Sequence, residues 1–247
     1  MKRIKERWRI GLPARGLWSM SADPVVAELM AASPADYVCV DLQHGMATFA
    51  ELPSIVQAMR ASGRVPLVRV GGVDQAQAMR ALDLGAGGVI VPMVNTAADA
   101  CLVASACRYP NRGVRSWGLP WSGIALEPNP IPAALDGQVL CIAQIETPEA
   151  LANAEAITAT DGIDAIYIGP NDLALQCGLG RATYRDSDRV HELLDEIIAA
   201  ARTVGKPVGL HCEDPAMAEY WIARGVQMAT IGHDLSVLAN AVRALFE

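Results

Sequence analysis

Eight short apolar runs, separated by stretches of helical periodicity, constrain this chain more than any other feature. The runs are GLWSM (16–20), YVCVDL (37–42), PLVRV (66–70), GGVIVPM (87–93), VLCIAQIE (139–146), AIYIGP (165–170), PVGLHC (207–212) and MATIGHD (228–234). Between them, segments such as DPVVAELMAA, FAELPSIVQAMRAS, DQAQAMRALDLG and VHELLDEIIAAARTVG space their apolar residues near 3.6. A strand followed by a helix, repeated eight times, fits a closed (β/α)8 barrel better than an open sheet. The length of 247 residues matches one such barrel. The expected architecture is therefore a single α/β domain over 1–247, a TIM barrel. Punctuation agrees: Thr147 stands as an N-cap with Pro148 at the first helical position and Glu149 in the first turn, and Gly63, Gly85 and Gly205 fall where helices should stop.

One segment breaks the rhythm. From Arg108 to Gly137 no helix or strand pattern fits, and a loop that long in a compact domain usually has a task. Two tryptophans, Trp117 and Trp121, and two arginines, Arg112 and Arg115, argue for order. The 108–137 loop is expected to form a rim or lid over one end of the barrel, or a subunit contact.

Composition narrows the function. Hydrophobic residues make up 52% of the chain and charged ones 19%, with two Phe and five Tyr, so the core is built mainly of Ala, Val, Leu and Ile. A net charge of -7 is wrong for a nonspecific nucleic-acid binder. The basic start, MKRIKERWRI, lacks the apolar core of a secretory signal, and no apolar run approaches a membrane span. A cytoplasmic protein with no membrane or nucleic-acid partner is expected. Six scattered cysteines with no C-x-x-C pair read as reduced thiols, mostly in the core.

In a barrel of this kind the chemistry gathers at the C-terminal ends of the strands. The polar residues there are Asp41, Gln43, His44, Arg69, Gln144, Glu146, Asn171, Asp172, His211, Glu213, His233 and Asp234. Glu146 and Asp172 end two consecutive buried strands, where an unpaired carboxylate is costly; a hard divalent cation, Mg2+, Mn2+ or Co2+, relieves that cost. The competing reading is that each acid caps the helix that follows it. Lysine is scarce: Lys2 and Lys5 lie in the N-terminal tail and Lys206 just before a strand, so none is placed for a Schiff base. A metal would supply the electrophile, and Arg69 a fixed positive charge toward an enolate or oxyanion, unless Arg69 partners a strand-end acid. Asp41 and His44, three residues apart, are the candidate acid–base pair, the carboxylate orienting the imidazole, unless either is satisfied structurally. HELLD (191–195) lacks the second His of a zinc helix, and His233–Asp234 either binds substrate or, the favoured reading, caps the last helix.

Several segments together resemble the HpcH/HpaI aldolase family: GLWSM, DLQHG, PLVRV, LDLGAGGVIVPMVNT, RYPNRGVRSWG, QIETPEALANAEAI and GIDAIYIGPNDLALQCG. The resemblance implies a phosphoenolpyruvate/pyruvate-type barrel and a metal-dependent class II pyruvate aldolase. It implies Glu146 and Asp172 as metal ligands, Gln144 as a hydrogen-bond donor to substrate, Arg69 as stabiliser of the keto oxygen and His44 with Asp41 as the acid–base dyad. The backbone of Gly169, Pro170 and Asn171 is implied to receive the substrate carboxylate. A hexamer is implied as well. Where family members read D-G-E-H, this chain has Asp41-Leu42-Gln43-His44, which removes one charge beside the dyad. The expected reaction is reversible cleavage of a 4-hydroxy-2-oxo acid, such as 4-hydroxy-2-oxoheptanedioate or a 2-keto-3-deoxy sugar acid, to pyruvate and an aldehyde. The alternatives are an acyl-CoA carbon–carbon lyase of the malyl- or citryl-CoA type, and a noncatalytic assembly or binding barrel.

Overall fold

Each of the eight apolar runs forms a strand in the structure, a computed structural model that describes residues 2–118 and 131–247. They are β1 (Ala14–Ser19), β2 (Tyr37–Asp41), β3 (Leu67–Arg69), β4 (Gly88–Val91), β5 (Leu140–Ile145), β6 (Ala165–Ile168), β7 (Val208–His211) and β8 (Met228–His233). All pair in parallel in chain order, and β8 returns to β1 with Ala14 opposite Met228, which closes the barrel. Side chains alternate between two layers, as the strand period of two requires. Tyr37 and Cys39 point inward with Trp18, Leu67, Ile90, Ile142 and Tyr167, while Val38 and Val40 pack outward under the helices. Continuing that register turns Asp41 inward at the barrel mouth.

The helices are α1 (Lys2–Arg9), α2 (Pro24–Ala32), α3 (Leu52–Ala61), α4 (Gln75–Asp83), α5 (Ala97–Ala106), α6 (Pro132–Asp136), α7 (Pro148–Ala152), α8 (Ala154–Ala159), α9 (Pro170–Gln176), α10 (Asp188–Val204), α11 (Pro215–Ala223) and α12 (Asp234–Arg243). The punctuation holds: Thr147 accepts the Ala150 N–H at 3.0 Å, and Gly63, Gly85 and Gly205 adopt φ of 72°, 100° and 71° after α3, α4 and α10. The single helix expected after β5 is instead two, broken at Asn153.

The basic N-terminal segment is part of the barrel. It forms α1, whose Ile4 is buried with the inner layer, and Lys5 donates to the carbonyls of Gly137 and Val139 at 3.1 and 3.0 Å. The 108–137 segment contains a short helix, α6, that the sequence pattern did not reveal. Its described parts are tied to the end of the barrel where strands begin: Arg108 pairs with Asp164 at 2.7 Å, Arg115 with Asp83 at 3.0 Å, and Asp136 accepts the Tyr109 N–H at 3.0 Å. Trp121 lies outside the described residues. All six cysteines are free, four of them buried. Among the described residues no helix is long and apolar enough to cross a membrane.

Candidate active site

Strand direction brings most of the singled-out residues to one mouth. Asp41 ends β2, Arg69 ends β3, Gln144 lies in β5 with Glu146 just beyond it, and Gly169 leads from β6 into α9, whose first turn carries Asp172. The two described lysine side chains are at the other end: Lys206 donates to Thr160 O at 2.8 Å, and Lys5 binds the approach to β5.

Glu146 is buried, and its partners rule out capping. Its Oε1 accepts the backbone N–H of Met93 at 2.8 Å, and its Oε2 accepts from the Gln144 amide, while the cap of α7 is Thr147. Burial pushes the Glu146 carboxyl above its ordinary range; the Met93 and Gln144 hydrogen bonds pull it down, the charge of Asp172 pushes it up again, and Arg69 offsets little. Asp172 is half-buried and gives α9 no side-chain cap. A buried carboxylate whose charge a second carboxylate disfavours, with oxygen donors only, is a setting that a hard cation stabilises. A Cβ added at Gly169 would stand 2.5 Å from Glu146 Oε2 and 2.8 Å from Gln144 Nε2, so the absence of a side chain there keeps the pair in place. Gln144 Oε1 is buried with no hydrogen-bond partner, an acceptor aimed at nothing in the protein. Glu146 and Asp172 thus fit a divalent cation as two of its ligands. Among the described residues no cluster of three or more His, Cys, Asp or Glu side chains could hold one by itself.

Asp41 is placed differently from expectation. It does not orient the His44 imidazole: Arg69 donates to it through Nε at 3.0 Å and Nη2 at 2.5 Å, Trp18 Nε1 at 3.1 Å, and the backbone N–H groups of Gln43 and His44 at 2.9 and 3.2 Å. The carboxylate's acceptor positions are taken, so the only tie to His44 is main-chain. Burial pushes Asp41 up, but the Arg69 hydrogen bonds and charge outweigh it and hold the carboxyl below the usual range. Asp41 is therefore a positioning anion for Arg69, which the sequence reading carried as the competing role of that arginine. His44 itself is exposed at the mouth, and among the described residues its ring makes no hydrogen bond.

The turn expected to receive a substrate carboxylate has fewer open donors than its three residues suggest. Gly169 gives its N–H to Ile145 O at 3.2 Å and Pro170 has none, which leaves the N–H groups of Asn171 and Asp172 in that turn. Sequence reasoning missed Met93 and Trp18. Met93 holds φ at 57°, a conformation that is costly for a side-chain-bearing residue, and it aims its N–H at Glu146. Trp18 faces inward by strand alternation, donates to Asp41 and lies 5.1 Å from the Arg69 guanidinium; an inward register in GLWSM was the available signal. Deeper in the barrel, Tyr167 bonds Thr230 at 2.6 Å and reaches His211 Nδ1 at 3.4 Å. Burial, then the charges of Arg69 and His233, lower His211 to about 4, so it is neutral and unsuited to hold a proton at neutral pH. His233 caps α12, accepting the Ser236 N–H at 3.1 Å, and His191 sits on α10 against Tyr220 at 2.7 Å.

The model of the HpcH/HpaI aldolase/citrate lyase family matches residues 14–241. This chain belongs to that family. A hydroxypyruvate/pyruvate aldolase from Rhizorhabdus wittichii is 35% identical over 243 residues, covering 98% of this chain and 96% of its relative. A 4-hydroxy-2-oxovalerate aldolase from Novosphingobium aromaticivorans is 37% identical over 246 residues, covering 96% and 90%. A solved HpcH/HpaI aldolase/citrate lyase family protein from Burkholderia cenocepacia J2315 superimposes with a TM-score of 0.92 at 28% identity, covering 100% of this chain and 98% of that one. Membership in the HpcH/HpaI family makes this chain an aldolase-type carbon–carbon lyase.

Proposed function

We propose that this chain, acting as one barrel domain over 1–247, is a metal-dependent class II aldolase that reversibly cleaves 4-hydroxy-2-oxo acids to pyruvate and an aldehyde. The observation that carries the reading is the buried Glu146 carboxylate, destabilised by burial and by Asp172 at a mouth to which the described lysine side chains do not reach. Glu146 and Asp172 would hold Mg2+, Mn2+ or Co2+, and the bound cation supplies Lewis acidity toward the keto oxygen of the substrate.

The chain's own groups do the rest. The Asn171 and Asp172 N–H groups, in the first turn of α9, receive the substrate carboxylate. Arg69, fixed by its two bonds to Asp41 and by Trp18, presents positive charge where the pyruvate enolate develops. Gln144, with a buried unpartnered Oε1, accepts from a substrate hydroxyl or turns its amide to donate. His44, exposed at the mouth, takes the C4 hydroxyl proton as the C3–C4 bond breaks. Its ring turns freely of Asp41, and Gln43 adds no charge beside it. The protein is proposed to work as a homo-oligomer, a hexamer by its resemblance, which the exposed Val237, Leu238 and Val242 of α12 support. Its six free thiols support a cytoplasmic setting.

The test is incubation with a panel of 4-hydroxy-2-oxo acids, with pyruvate measured by a coupled assay before and after removal of divalent ions. Pyruvate release that ends on chelation and returns with added Mg2+, Mn2+ or Co2+ is expected. Release that survives thorough chelation rejects the metal role, and no release across the panel rejects the aldolase reading. The named relatives of 35% and 37% identity favour this reading over an acyl-CoA lyase.

A further inference from the structure

At the end of the barrel opposite the carboxylates, a cavity of about 610 Å³ opens between α1, the starts of β2 and β5, and the turns that end α3 and α4. Its wall includes Met59, Leu82 and Val139, and among the arginines that line it are Arg3, Arg64 and Arg115. Among the described residues a single carboxylate, Asp36, lines it. That carboxylate is already committed, to Arg3 at 3.1 Å, to Arg7 at 3.3 Å and to the Arg15 N–H at 2.9 Å. Asp83 is likewise taken by Arg115 at 3.0 Å.

The cationic side chains are built into the fold. Arg115 is 4% exposed in its side chain, lies 4.8 Å from the Tyr109 ring, and leaves its Nε buried with no acceptor. Arg64 anchors on Ala31 O and Ser33 O at 3.2 Å each, through Nε and Nη2, and among the described residues its Nη1 has no acceptor. Burial, and then the nearby charge of Arg3, make the charged form of Arg64 less favourable than in water. Among the described residues the Arg115 Nε and the Arg64 Nη1 are left without an acceptor at the wall of this partly enclosed cavity, donors that an anion would satisfy. The fork of a guanidinium matches phosphate and carboxylate oxygens alike, and the volume suits a small metabolite.

We propose that this arginine-lined cavity is a second binding site, for a small organic anion bearing two or more phosphate or carboxylate groups. It is separate from the aldolase site: it touches the beginnings of β2 and β5, whose far ends carry Asp41 and lead to Glu146.

The test is calorimetric titration of the full chain with inorganic pyrophosphate and, separately, with citrate, in metal-depleted low-salt buffer so that neither probe acts through a divalent ion. Saturable binding of one equivalent per chain is expected for at least one probe. Pyrophosphate alone points to phosphate esters, citrate alone to polycarboxylates. Arg64→Gln and Arg3→Gln should each weaken binding about tenfold or more, the loss of one charge-assisted hydrogen bond, and Glu146→Gln should leave it unchanged. Arg3, with its side chain 52% exposed on α1, can be replaced without disturbing the core if Arg64→Gln fails to fold. No saturable heat with either probe, full affinity in Arg3→Gln, or loss of binding in Glu146→Gln would overturn the proposal.

Discussion

Replacing Gly169 by Ala tests whether the position of the Glu146 carboxylate governs catalysis. Backbone conformation is not the issue, since φ of -95° at Gly169 is open to alanine. Space is. The new Cβ would lie 2.5 Å from Glu146 Oε2, where ordinary contact begins at 3.4 Å, so the carboxylate must retreat about 0.9 Å, a displacement that costs on the order of 100-fold in rate at a catalytic centre. The Gln144 amide at 2.8 Å is pushed at the same time. Because among the described residues the pair is held by the Met93 N–H and one mutual bond, it should move rather than unfold the barrel. Overpacking of this kind costs about 1–3 kcal/mol. Pyruvate release should fall ~100-fold, and the half-saturating concentration of divalent ion should rise, while Tm drops only by several degrees. Gly72→Ala, where an added Cβ meets nothing within 4 Å, is the control and should behave as wild type. A Gly169→Ala protein within twofold of wild type in kcat, with an unchanged metal requirement, would refute the reasoning.

Three further outcomes follow from the charges. Glu146→Gln keeps an acceptor for the Met93 N–H and removes a charge that burial and Asp172 penalise; because the folded carboxyl titrates above its ordinary value of 4.5, wild-type stability is fully present below that pH and is lost as pH rises through the folded value. Metal-free Glu146→Gln should therefore melt higher than wild type at pH 8, with the gain vanishing near pH 4, and an equal gain at both pH values would contradict this. Arg69→Ala strands Asp41, which is fully buried, and should destabilise by about 3–5 kcal/mol in urea unfolding; a loss under 1 kcal/mol would mean that water replaces the arginine. His211, lowered from 6.5 to about 4, binds fewer protons folded than unfolded between those values, so stability should decline by roughly 2–3 kcal/mol as pH falls from 6.5 to 4. His211→Phe should flatten that slope, and an unchanged slope assigns it to other groups.

The barrel was legible because its signals are local. β-runs of three to six residues, Pro148 behind Thr147, and glycines at helix ends each depend on neighbours in sequence, and all were found where they were expected. The helix break at Asn153 and the helix α6 were not legible: five-residue helices have no periodicity to read. Nor was the fate of Ile4, whose burial depends on a barrel end that exists only after the strands close. At the site, strand-end position located Glu146, Asp172, Arg69 and His44. It could not assign partners. Asp41 and His44 are close in sequence, yet Asp41 and Arg69 sit opposite each other in the β2–β3 register, and the cross-strand pair wins. A bidentate guanidinium bond is stronger than a single imidazole contact across a turn. Met93 was invisible for another reason, since it contributes only a backbone N–H through a positive φ that no residue type announces.

That cross-strand pair decides the electrostatics of the mouth. Had Arg69 been free, it would have been the natural counter-ion for Glu146, and two carboxylates with one guanidinium would have needed little else. Locked to Asp41 by two bonds, it forms a nearly neutral unit, and of the influences on Glu146 its charge is the smallest while that of Asp172 exceeds it. Glu146 and Asp172 are left as a pair of negative charges whose local compensation consists of one backbone N–H and one amide. Such dipoles satisfy lone pairs without supplying the charge that a buried carboxylate lacks. On the proposed reading the arginine would be reserved for charge that develops only during reaction, and a divalent ion would supply the positive charge that the two acids lack.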